Sequence, residues 1–215
     1  MVPIVGNVQP SSRARPAASS GRIRFAGLAC LMGGVLWAVL VVVEHLQVSV
    51  ASIVTDLLIP VPMLLGMACG PLSLFALRAS GSSRMRWGGH IGTSISLLGI
   101  CSYLAAALSK YVVGYELEFF YPAGALLVGV GMLTLGIVVF VARSLTGWRR
   151  MAPLFVGLYY VAMIPFQIVF FIIPSGEPSP ILLGFWSVAW ILFGYAIWSS
   201  APSVERYASR EDTTV

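Results

Sequence analysis

The chain has 215 residues, of which 58% are hydrophobic and 10% charged, with a mean hydropathy of +0.91. A soluble domain carries about 25% charged residues, so this composition excludes an ordinary water-soluble globule and points to a membrane protein. The net charge of +5 does not indicate a nucleic-acid partner, because the basic residues stand in small groups at the ends of apolar runs, the pattern of topology signals and headgroup anchors.

Residues 1–24 are rich in Pro, Ser, Ala and Arg and contain no acidic residue. They read as an exposed, unstructured cytoplasmic tail without the apolar core of a signal peptide. The first apolar run lacks a convincing cleavage site and is expected to remain as a helix. Crossing a bilayer takes about 20 apolar helical residues. Six segments reach that length: Phe25–Val43, Pro60–Leu77 (with a start as early as Ser52 conceivable), Gly89–Ser109, Phe119–Ala142, Ala152–Ile173 and Pro180–Trp198. Backbone amides in hydrocarbon must be paired within their own segment, so each run is expected to be helical. The predicted fold is an all-α, polytopic six-helix transmembrane bundle over residues 25–199, with 200–215 as a polar, mobile cytoplasmic tail.

Orientation follows from the basic residues. With the N-terminus inside, every one of the thirteen except Lys110 lies on the cytoplasmic side, as the positive-inside rule requires. Glu44, Asp56, Glu116, Glu118 and Glu177 then lie outside, and the expected location is a cell membrane. Trp87, Trp148 and Trp198 stand at inner helix ends, and the aromatic cluster from Tyr111 to Tyr121 at the outer boundary. Gly66 and Gly70, and Gly88 and Gly92, recur at a spacing that lets backbones approach, so helices 2 and 3 are expected to pack through these faces. Helices 1 and 4 share a loose likeness that fits either an inverted repeat or shared composition. Cys30, Cys69 and Cys101 lie in apolar runs with no paired spacing, and neither a disulfide nor a metal centre is expected.

Asp56 admits two placements. If helix 2 starts at Pro60, both Pro60 and Pro62 fall in a first turn that tolerates proline, and Asp56 sits in a loop just above the hydrocarbon. This placement is favoured. If the helix instead runs from Ser52, the two prolines free backbone carbonyls beside a carboxylate, a setting for cation or proton binding. Around Asp56, a collar of Glu44, His45, Lys110, Glu116 and Glu118 is expected to gather. Such groups can bind a cation or polar solute, or shift one another's protonation for acid–base chemistry; they can also be ordinary wet loop residues.

Helices 5 and 6 carry a second cluster, in which Tyr159, Tyr160, Gln167, Trp186 and Trp190 form either a pocket for a lipid or isoprenoid or plain packing surface. His90 is too close to Thr93 and too near the interface to serve a GTSIS serine protease. His45 and His90 lie at opposite faces and cannot share a haem. No phosphate loop, aspartate-rich diphosphate motif or metallohydrolase pattern is present, and no cofactor is expected. The leading functional expectation is a non-enzymatic transport, transport-accessory or sensing component binding a cation or small polar solute at the collar. The alternatives are an intramembrane enzyme on a lipid or isoprenoid with Glu44 or Asp56 as its acid, and a scaffold that binds a membrane protein or a second copy through the Gly66 and Gly88 faces.

Overall fold

The computed structural model describes residues 20–46, 53–77, 83–115, 117–176 and 178–212. Most of the N-terminal tail, Glu116 and Glu177 lie outside the described residues. Helix α1 spans Ser20–His45, α2 Pro60–Leu77, α3 Ser83–Val112, α4 Phe120–Ala142 and α5 Ala152–Gln167. A three-residue turn, α6 (Ile173–Ser175), ends the fifth rod, and α7 (Pro180–Asp212) completes the chain. Helix α1 thus takes up the last residues assigned to the N-terminal tail, and α7 runs on beyond Trp198.

All the described secondary structure is helical, and six rods are long and apolar enough to cross a membrane. Their outer surface is apolar too: Leu28, Leu98, Val141, Phe155, Ile181 and Phe185 are all exposed. Water-soluble chains rarely show so continuous an apolar skin, and together these features suggest a membrane protein.

Two π-helical turns accompany prolines. Residues Val54–Leu58 form a π-helical turn, with Ile59 N–H donating to Val54 O at 3.0 Å. Pro60 has no N–H to offer, and the wider turn carries the helix past that gap. Helix 2 is therefore helical from Ile53 onward, and Asp56 lies within the apolar span Val54–Ala76 rather than in a loop above it. The second π turn, Ile168–Ile172, follows Pro165 in the same rod as α5.

The rods form a closed ring in which each packs on its chain neighbours and α7 returns to α1. Small residues set the seams. A Cβ on Gly27 or Gly34 would strike the α7 backbone, and one on Gly124 or Gly131 the α3 backbone. The Gly66 face meets Ala29 and Gly33 of α1, and the Gly92 face meets Leu135 and Gly131 of α4. Helices α2 and α3 therefore do not pack through these faces, and the Gly66 surface is already occupied within the chain. The ring also excludes the inverted repeat. A two-fold axis in the membrane plane reverses cyclic order in projection, whereas matching α1–α2–α3 to α4–α5–α7 preserves it. The likeness of helices 1 and 4 is left to shared composition.

The core includes Trp186, Trp190, Phe193 and Ile197 of α7, almost fully buried in one cluster with Met132, Leu135 and Val139 of α4 and Met67 of α2.

Candidate functional site

Three helix ends bring their charged residues together. Glu44 lies one residue from the end of α1, Asp56 lies in the π turn, and Lys110 lies two residues before the end of α3. All three line one cavity of about 270 Å³. Lys110 Nζ donates to Asp56 Oδ2 at 2.6 Å, tying α3 to the start of the second rod. Thr55 Oγ1 and Tyr111 OH approach the two Asp56 oxygens at 3.4 Å each, as longer, weaker donors. The Glu44 carboxylate forms no ion pair or hydrogen bond among the described residues, although it lies within electrostatic reach of Asp56.

The walls follow helical periodicity. On α1, Trp37, Val41 and Glu44 occupy one stripe, and on α3, Tyr103, Ala107 and Lys110 repeat the same spacing. Seven residues of helix rise about 10 Å. The cavity thus grades from a charged mouth to an aromatic floor. There Trp37 and Tyr103 meet edge to face at 6.5 Å, and Tyr121 tilts against Tyr103 at 6.1 Å. Trp37 Nε1 donates to Leu183 O at 3.0 Å, which fixes its ring. Beneath it, Trp186 lies 5.0 Å from Trp37 and 4.3 Å from Tyr160, ring centre to ring centre.

The floor is also a shared wall. Trp37, Tyr103, Tyr121 and Leu183 line a second, almost wholly apolar cavity of about 410 Å³, which continues along Ala125, Tyr160, Met163 and Gln167. The hydroxyls of Tyr103 and Tyr160 bond to each other in the buried wall between α3 and α5. Ile168 and Ile172, from the second π turn, close the far side and are themselves 43% and 39% exposed. The chamber therefore reaches the apolar outer surface of the bundle. Each π turn contributes to one of the two cavities.

Of the expected collar, Glu44, Asp56 and Lys110 converge; His45 and Glu118 are exposed and do not line the cavity. Glu116 lies outside the described residues. Of the aromatic cluster, Tyr160 and Gln167 line the apolar cavity. Gln167 is held at both ends, since Oε1 accepts from Ser179 N–H at 2.7 Å and Nε2 donates to Ser179 O at 3.3 Å, pinning the entry to α7. Tyr159 donates to Leu182 O at 2.6 Å and does not line the cavity. Trp186 and Trp190 are core residues, and their indole N–H groups find no acceptor among the described residues. Sequence reasoning missed Trp37, Tyr103 and Tyr121, and the signal it passed over was the aromatic-to-charge spacing of seven in α1 and α3.

Comparison with protein-family models, with curated proteins and with solved structures gives no match to this chain.

Proposed function

We propose that this chain is a multi-pass cell-membrane protein that binds a small cation at the Glu44–Asp56–Lys110 cavity, as a transport or sensing component and not an enzyme. The carrying observation is the charge of that cavity. Two carboxylates and one ammonium line it, and the Asp56–Lys110 pair leaves Glu44 as one formal negative charge without a counterion among the described residues. A monovalent cation completes the set. Trp37, Tyr103 and Tyr121 favour an organic ammonium over a bare metal ion, because ring faces attract a weakly hydrated cation. Among the described residues Arg22, Arg24, Arg143, Arg149 and Arg150 stand at helix ends opposite in chain order to that of Lys110, which supports the expected orientation, with the cavity mouth outside and both termini in the cytoplasm.

The test is uptake of radiolabelled tetramethylammonium into proteoliposomes, with binding measured in parallel on the same preparation. Transport gives flux above empty vesicles that falls with Glu44→Gln and Asp56→Asn and survives Trp186→Phe. Binding without flux assigns a sensing or accessory role. Absence of both overturns the reading. The adjoining apolar cavity favours a second reading, a lipid-modifying enzyme with Glu44 as its acid. It predicts a modified lipid in extracts of overproducing cells that is lost in Glu44→Gln.

A further inference from the structure

We infer that the ligand is an amphiphilic monocation, an ammonium carrying an apolar tail, whose head occupies the charged cavity and whose tail lies in the apolar chamber below. This inference rests on the cation reading above and adds the tail. The two cavities share Trp37, Tyr103, Tyr121 and Leu183 as a common wall, so a ligand bound against these residues touches both. Their linings divide by chemistry: Glu44, Asp56 and Lys110 appear only in the first, while Ala125, Met163 and Ile168 appear only in the second.

The chamber is large enough. An apolar cavity of about 150 Å³ accepts benzene, and here about 410 Å³ is available, room for a chain of several carbons. Its main polar side chains are engaged with protein partners. Gln167 is held at both ends by Ser179, and the Tyr103 and Tyr160 hydroxyls hold each other. The lining is almost wholly apolar, so it favours a hydrocarbon or aromatic group for the part of the ligand that enters. Access is built in as well, because the exposed Ile168 and Ile172 sit where the chamber meets the outer apolar surface. A tail already dissolved in lipid reaches it sideways while its head remains near the bilayer boundary. An anionic or phosphate head fits poorly beside Glu44, and a neutral head leaves that carboxylate uncompensated.

The experiment compares octyltrimethylammonium, tetramethylammonium and octyl sulfate by calorimetry on the full chain in nanodiscs, with partition into empty nanodiscs subtracted. The inference predicts that the octyl cation binds about tenfold or more tighter than tetramethylammonium, the gain expected from roughly two buried methylenes, and that octyl sulfate does not compete. Ile168→Trp, on the exposed side of the chamber and therefore tolerant of bulk, should erase the octyl advantage and leave tetramethylammonium binding unchanged. Glu44→Gln should weaken both cations. Equal affinity for the two cations overturns the tail and leaves the cation site standing. Binding of neither cation removes both readings, and octyl sulfate binding as well as the octyl cation shows a hydrophobic groove without charge selection.

Discussion

Tyr103 and Tyr160 set the energetics of the wall between the two cavities. Their hydroxyls are each other's partner, and both side chains are buried. Replacing one with phenylalanine strands the other hydroxyl, which costs about 1–3 kcal/mol for a buried group; replacing both removes the unmet need. Thermal or denaturant unfolding in detergent should therefore place the Tyr103→Phe, Tyr160→Phe double variant above at least one of the single variants. Strictly additive losses would mean that each hydroxyl has a separate partner. Neither this pair nor the role of Trp37 was legible in the sequence as a contact, because periodicity places residues on a face without saying which face they meet. The charged members were easier to find. A lone acid in an apolar run must be stabilised by something, and Asp56 found Lys110 from a position 54 residues away. His45 and Glu118, drawn into the same collar by their order in the chain, instead point elsewhere.

At the level of the elements, six helices were readable from apolar length, and their boundaries in the described residues agree to within a few residues except where charged ends extend a rod. The sequence did not reveal the π turns. It flagged Pro60 and Pro62 and favoured a helix that starts at Pro60 over one that runs through from Ser52. Tertiary packing supplies the answer, since Lys110 and Tyr111 hold Asp56 in place from α3. The glycine seams were legible as close approaches but not as pairings: a small residue permits contact without naming the neighbour. The seams make a contrast that can be measured. A Cβ on Gly136 would lie 2.5 Å from Leu154 Cα, whereas one on Gly184 meets only Val41 Cγ1 at 3.4 Å. Gly136→Ala should destabilise the bundle by about 1–3 kcal/mol through overpacking against backbone. Gly184→Ala should be neutral or stabilising by up to about 1 kcal/mol through helix propensity. Equal melting temperatures for the two variants would contradict the close α4–α5 seam.

The described residues form a ring of six apolar rods, with Arg22, Arg24, Arg143, Arg149 and Arg150 at one set of helix ends and the Glu44–Asp56–Lys110 cavity at the other. Its orientation carries its own prediction: a reporter active only in the cytosol, fused after Val215, should be active, and one that matures only outside should be silent. The opposite result would turn the cavity mouth inward and remove access from the exterior. The central claim is that three side chains from three rods act on one cation, and tetramethylammonium binding by equilibrium dialysis to the wild type, Glu44→Gln and Lys110→Met tests it most directly. Removing Lys110 frees Asp56 and doubles the formal negative charge, while removing the Glu44 charge leaves a neutral pair. The predicted order of affinity is Lys110→Met, then wild type, then Glu44→Gln, with each step about three- to tenfold for one unit charge nearby. Identical affinities in all three proteins would show that the cation, if bound at all, does not sense these charges.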